Sequence, residues 1–325
     1  SGHLLQAHWG FLFCWLSIIR DEARMKTINL DLFISKQHVS HYNTRPDLKG
    51  NVTMSPATPV NELPRGYVIP IGGAEAKKKD PEILERFVAL CGGEDARILV
   101  IPTASMLDET GPAYMELFEG LGANTMCIPI EERDQCYEKE ILDVMERSTG
   151  IFITGGNQLR LSTILGGTPV ARAIRRLNAE GVHMAGTSAG AAIISEHMIA
   201  GGRGGPSPRE SGVTLAPGLG LTNRAIIDQH FNRRGRMGRL LAALSFNPFA
   251  CGLGIDENTA AFIAPDGKME VVGHGTVTVI DPADLRHSSM SYVRKAESIS
   301  LIGLKLHVLA RGSHFNLETR EATLT

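Results

Sequence analysis

A chain of 325 residues, 43% hydrophobic and 21% charged, is long enough for one large domain or two small ones and buries a substantial core. Its 33 basic and 35 acidic residues leave a formal net charge of −2, which excludes a general pull toward nucleic acid or an anionic membrane, so charge recognition must be local. Five cysteines, Cys14, Cys91, Cys127, Cys136 and Cys251, are odd in number and lack metal-ligand spacing; no disulfide framework, zinc site or cofactor is expected, and reduced thiols buried as apolar residues in a cytoplasmic protein fit best.

The apolar run Trp9–Ile19 is too short to span a bilayer as a helix. It also lacks the basic flank before it and the small residues after it that a secretory signal needs. With the Ser1-Gly2 start and an internal Met25, residues 1–24 read as vector-derived or as a translated upstream stretch; a docking helix or a poor signal sequence is the alternative. Residues 36–65, punctuated by Pro46, Pro56, Pro59 and Pro64, sustain no period and read as a linker or extended arm. The expected organisation is an N-terminal extension over 1–65 and a single α/β domain over 66–325.

From Tyr67 the pattern alternates. The apolar run Tyr67–Ile71 ends in Gly72-Gly73, and a helix is expected after Asp80-Pro81, with the acid at the cap and the proline in the first turn. Strands follow at 97–101, 124–128, 151–154 and 182–185, and helices at 111–120, 137–147 and 168–180. Short apolar strands separated by amphipathic helices predict βαβ units and a parallel sheet covered on both faces. The tail from Gly252 to Leu309 is rich in strand-like runs (AAFIA, MEVVG, TVTVI, SLIGLKLHVL) and predicts antiparallel strands added to an edge or forming a small second sheet.

The strongest chemical signal is Gly186-Thr187-Ser188-Ala189-Gly190. It fits G-x-S-x-G between a strand (VHMA) and a small-residue helix (AGAAIISE). Such an elbow exposes its serine on a sharp turn, and the helix N-terminus that follows, beginning at Ala189, offers backbone amides to an oxyanion. The bland reading is a tight turn with no chemistry. A serine nucleophile needs a base. His183 lies within the strand before the elbow and reads as structural. His230 instead closes an apolar run (Ala225–Ile227, then Asp228-Gln229-His230), at a strand end where open α/β sheets carry their sites. The base needs an orienting acid, and Asp256-Glu257 follows another apolar run; either carboxylate fits, and either is also an ordinary turn residue. Gly155-Gly156-Asn157-Gln158 marks one more strand end, where the Gly156 amide would face an oxyanion and Gln158 a polar substrate group. Arg233, Arg234, Arg236 and Arg239 cluster after His230. Positive charge at a helix start opposes the macrodipole and calls for a compensating partner, a substrate carboxylate being one. Nucleic acid is disfavoured because no aromatics interleave and no wider basic surface supports the cluster.

Together the words GGNQLRL (155–161), GTSAGAA (186–192), DQHFNRRGRMGRL (228–240) and GIDENTA (254–260) resemble the cyanophycinases, in the serine peptidase family that also holds peptidase E, the aspartyl dipeptidase. The likeness covers roughly residues 66 to 282 and leaves the first 60 or so outside. The resemblance implies a three-layer α/β sandwich with a mostly parallel central sheet, related to the class I glutamine amidotransferases. It implies a Ser188–His230–Glu257 triad, and so prefers Glu257 over Asp256. It implies a pocket of Gln158, Asp228, Gln229, Arg234, Arg236 and Arg239, no metal, and a homodimer. The substrate it implies is cyanophycin, a polyaspartate backbone whose β-carboxylates carry arginine in amide linkage, released from a chain end as β-aspartyl-arginine. An α-aspartyl dipeptidase of the same family and a non-catalytic binding protein on this fold remain as alternatives, while a class I amidotransferase is disfavoured because Ser188, not cysteine, occupies the elbow.

Overall fold

The computed structural model describes residues 56–57, 64–77 and 79–324. The expectations for residues 1–24, and for most of the proline-punctuated arm, fall outside the described residues.

Chain order begins with β1 (Val68–Ile71), α1 (Glu82–Leu90), β2 (Arg97–Ile101), α2 (Thr110–Gly120), β3 (Asn124–Cys127), α3 (Lys139–Met145) and β4 (Gly150–Ile153). It continues with α4 (Gln158–Leu165), α5 (Pro169–Ala179), β5 (His183–Thr187), α6 (Ala189–Ala192), β6 (His197–Gly201), β7 (Thr214–Pro217), β8 (Ala225–Gln229), α7 (Met237–Phe246) and β9 (Cys251–Ile255). Eight further strands close the chain: β10 (Thr259–Ile263), β11 (Lys268–Gly273), β12 (Val277–Asp281), β13 (His287–Ser288), β14 (Leu301–Ile302), β15 (Lys305–Leu309), β16 (Ser313–Asn316) and β17 (Ala322–Leu324).

A nine-stranded sheet runs β17-β16-β11-β10-β1-β5-β4-β2-β3. The five strands from β1 to β3 are mutually parallel, and β10, β11, β16 and β17 extend the sheet antiparallel from β1. β1, β2, β4 and β5 are largely buried because helices cover both faces, whereas β3 at the sheet edge alternates exposed and half-buried residues. Period-2 alternation divides β1, β2, β4 and β5 between two cores. Ile98 and Val100 meet α1 and α2 through Phe87 and Phe118, whereas Leu99 and Ile101 meet the opposite layer of α3 to α6 through Met145, Leu161 and Ile174. A second sheet, β15-β12-β9-β8, holds β8 and β9 parallel, with Gln229 opposite Ile255, and packs Ile226 and Ile280 against Leu240 and Leu244 of α7.

Three local expectations change. Pro81, not Asp80, takes the N-cap position of α1; the Asp80 side chain lies 3.4 Å from His274 Nε2 instead. The helix expected over 189–196 stops at Ala192, because the carbonyls of Ile193 and Ile194 accept Leu219 N (2.6 Å) and Leu221 N (2.9 Å) and draw the chain away from the helix. The 155–158 turn also opens a helix that the sequence pattern does not announce, in which Asn157 Oδ1 caps α4 by accepting Leu159 N at 2.9 Å.

Candidate active site

Ser188 stands between β5 and α6 at φ 51°, ψ −108°, a left-handed conformation that costs a non-glycine residue about 1–3 kcal/mol. Its neighbours explain why the turn is so tight. A Cβ on Gly186 would lie 2.2 Å from the Gly190 carbonyl oxygen, and one on Gly190 would lie 2.1 Å from that of Ile153. Only hydrogens fit at either position. The strain lifts the serine hydroxyl off the sheet and toward His230, which follows β8 and is itself at φ 49°.

Ser188 Oγ and His230 Nε2 are 2.9 Å apart, and His230 Nδ1 lies 2.7 Å from Glu257 Oε1. The second carboxylate oxygen of Glu257 lies 3.4 Å from Arg233 Nε. Asp256, its neighbour, turns the other way. Its oxygens accept Asn232 N (3.0 Å) and Nδ2 (2.8 Å), and Thr276 N (3.1 Å) and Oγ1 (2.8 Å), so it is consumed in joining two loops. Burial, first of all, lowers the His230 pKa; the Glu257 hydrogen bond opposes this, and the Arg234 charge adds to it. The imidazole is therefore neutral near pH 7, the state a base requires. His183 Nδ1 accepts Tyr67 N at 3.0 Å, a structural tie away from this constellation.

The Ser188 amide is already given to Ile71 O at 3.0 Å. The amides of Ala189 and Gly156 meet no acceptor among the described residues. Gly156 sits at φ 144°, and a side chain there would meet Ala104 O at 2.1 Å. Gly155 passes close to the serine, so that a Cβ on it would lie 3.3 Å from Ser188 Cβ. This brings the loop after β4 beside the elbow.

Two of the four clustered arginines, Arg236 and Arg239, have a compensating partner inside the protein. Asp228, whose side chain is fully buried, receives Arg239 Nε at Oδ2 (2.8 Å) and Arg239 Nη2 at Oδ1 (2.5 Å). Arg236 Nη1 adds a 3.3 Å contact to Oδ1 and also donates to the main-chain and side-chain oxygens of Gln229. Burial, more than its charged neighbours, pushes the Arg236 pKa down to about 10. Gln158 donates through Nε2 to Ile199 O at 3.3 Å. Arg234 is exposed, and its guanidinium has no carboxylate partner among the described residues. Of the six pocket residues expected from sequence, Asp228, Gln229, Arg236 and Arg239 thus form one buried, mutually bonded group, with Arg234 outside it.

Glu75 is a residue that sequence reasoning missed. It lies four residues after β1 and is 5% exposed, with Oε2 accepting the Thr187 hydroxyl at 2.6 Å and Oε1 the Tyr114 hydroxyl. A carboxylate shortly after an apolar run was the available signal, the same one that drew attention to Asp256-Glu257.

Four described cysteines, Cys91, Cys127, Cys136 and Cys251, are free thiols, and burial raises the pKa of each, that of Cys251 to about 11. Among the described residues no helix is long and apolar enough to cross a membrane, and no three His, Cys, Asp or Glu side chains gather as metal ligands do.

The model of peptidase family S51 matches residues 68–271. The cyanophycinase of Trichormus variabilis is 41% identical over 285 residues, 87% of this chain and 95% of that protein. The cyanophycinase of Geminocystis herdmanii is 42% identical over 260 residues, 79% of this chain and 96% of that protein. Among solved structures, a peptidase from an acI-B1 actinobacterium superposes with a TM-score of 0.59 at 20% identity, over 78% of this chain and 97% of its own, a likeness of fold.

Proposed function

The chain belongs to peptidase family S51, and from that premise we propose that it is a serine-type exopeptidase that hydrolyses cyanophycin to β-aspartyl-arginine, with Ser188 as nucleophile, His230 as base and Glu257 as the acid that orients it. The observation that carries the reading is the continuous relay from Ser188 Oγ through both imidazole nitrogens to Glu257, at 2.9 and 2.7 Å.

His230 Nε2 takes the Ser188 proton as Oγ attacks the main-chain aspartyl carbonyl. The Gly156 and Ala189 amides receive the oxyanion. His230 then returns the proton to the leaving amine, and a water activated by the same nitrogen hydrolyses the acyl-enzyme. Glu257 holds Nδ1–H and steadies the imidazolium between the two transfers. Each substrate unit carries a guanidinium and a carboxylate. Exposed Arg234 is suited to the carboxylate by a two-pronged contact, and Gln158, Asp228, Gln229, Arg236 and Arg239 complete the pocket, with the buried Asp228–Arg239 pair as its frame. Mixed charge on the polymer also suits an enzyme of net charge −2. A cytoplasmic homodimer on a class I glutamine amidotransferase-like scaffold, with the tail strands as its antiparallel addition, belongs to the same proposal; the free thiols support a reducing compartment.

Incubation with insoluble cyanophycin granules, with soluble products read by mass spectrometry, tests the reading. Release of β-aspartyl-arginine by the wild type and none by Ser188→Ala is the expected result. Turnover by Ser188→Ala refutes the serine mechanism, and cleavage of α-aspartyl dipeptides without polymer release moves the substrate to small peptides.

A further inference from the structure

β1 and the loop after it contribute none of the side chains assigned to chemistry, yet they touch every elbow that does. Three consecutive carbonyls do this. Ile71 O accepts the amide of Ser188 at 3.0 Å, Gly72 O that of His230 at 2.8 Å, and Gly73 O that of Asn258, next to Glu257, at 2.8 Å. Gly73, at φ 95°, lies against the imidazole so closely that a Cβ would come 2.4 Å from His230 Cε1. The chain then turns through Ala74 at φ 49°, and Ala76 N donates to Asn258 Oδ1 at 2.8 Å.

Such a loop, with two left-handed residues in succession, needs an anchor. Glu75 supplies it. A carboxylate this deeply buried is costly unless each oxygen is bonded, and here each has one hydroxyl: Thr187 Oγ1 at Oε2 and the Tyr114 phenol at Oε1. Burial above all, and then the Glu75 charge, raises the Tyr114 pKa, so the phenol stays protonated and remains a donor. Thr187 is the residue immediately before the nucleophile. One carboxylate therefore ties the loop that receives the three amides to the strand end that presents Ser188.

We infer that Glu75 is a positioning residue for catalysis, holding the β1 loop against Thr187 so that Ser188 Oγ and His230 Nε2 keep their contact. The inference rests on the Ser188–His230–Glu257 reading. A purely structural Glu75 would lower stability and the folded fraction but leave the turnover of folded molecules intact. A positioning Glu75 lowers kcat itself, because misplacing reacting groups by about 1 Å costs on the order of 100-fold.

The experiment compares Glu75→Ala, Glu75→Gln and Thr187→Val with the wild type, well below each melting temperature. It measures kcat and KM on cyanophycin and the rate at which a serine-directed phosphonate labels Ser188. Glu75→Ala is expected to lower kcat and the labelling rate together by roughly 30- to 100-fold, with KM changed by less than about threefold. Glu75→Gln is expected to recover part of both, since its amide oxygen still accepts one hydroxyl. Thr187→Val, which leaves Glu75 and its Tyr114 bond in place, should show the same kcat-only loss and decides the matter if Glu75→Ala does not fold. Wild-type kcat in folded Glu75→Ala and Thr187→Val, or a change confined to KM, overturns the inference while Ser188→Ala remains inactive. Turnover by Ser188→Ala overturns the triad, and the inference falls with it.

Discussion

Replacing Asp228 by asparagine asks what the buried arginines are for. The Asp228 side chain is 0% exposed, and those of Arg239 and Arg236 are 4% and 9% exposed. Asparagine keeps the shape and one acceptor oxygen but removes the only carboxylate facing two buried guanidiniums among the described residues. Arg236, already held down to about 10 by burial and by its neighbour Arg239, has no other carboxylate contact among the described residues. Breaking a buried pair from one side costs about 3–5 kcal/mol, and in a domain of this size each kcal/mol is worth roughly 2–4 °C of melting temperature. Urea unfolding followed by circular dichroism should therefore show a loss of at least about 3 kcal/mol, with melting lowered by roughly 6–20 °C. Adding Arg239→Gln to Asp228→Asn should cost less than the sum of the single changes by roughly 2 kcal/mol, the signature of a direct pair. A loss under about 1 kcal/mol, the worth of a surface ion pair, with additive single changes, would refute this reasoning. It would mean that the guanidiniums do not depend on Asp228 and stand available to a ligand.

The depressed His230 pKa sets the pH profile: the base must be unprotonated, so the acid limb of kcat/KM should lie below the ordinary imidazole value. Arg234→Gln removes one of the causes of that depression and should move the acid limb to higher pH; a limb that stays or moves lower would contradict the assignment. Glu257→Gln should lower kcat by roughly 10⁴-fold, whereas Asp256→Asn should loosen the Asn232 and Thr276 loops and leave kcat within about tenfold; the two kcat values side by side decide which acid orients the base. Gly73→Ala forces a methyl into the imidazole and should lower kcat by on the order of 100-fold or more, read as turnover per folded molecule.

What the sequence made legible was local. Apolar runs of four or five residues marked β1, β2, β4 and β5, and the Gly186–Gly190 spacing marked the elbow, because both depend on neighbours in the chain. Non-local capture defeated the same reasoning at α6: the Ile193 and Ile194 carbonyls bond to Leu219 and Leu221, more than twenty residues away, and no window around the elbow contains that information. The Arg233–Arg239 cluster was legible only in part. The macrodipole correctly demanded a counter-charge, but it could not say whether that charge was bound or built in. The outcome depends on Asp228 at the end of β8 folding back over eight and eleven residues onto Arg236 and Arg239. Glu75 carries the same lesson further. The sequence marks this acid only by its place after an apolar run, and the role proposed for it depends on Thr187 and Tyr114, which arrive from other parts of the chain to meet it. The residues proposed to perform chemistry sit at strand ends and leave motifs there. Those that hold them in register are scattered, and they become visible only when each buried charge is asked for its partner.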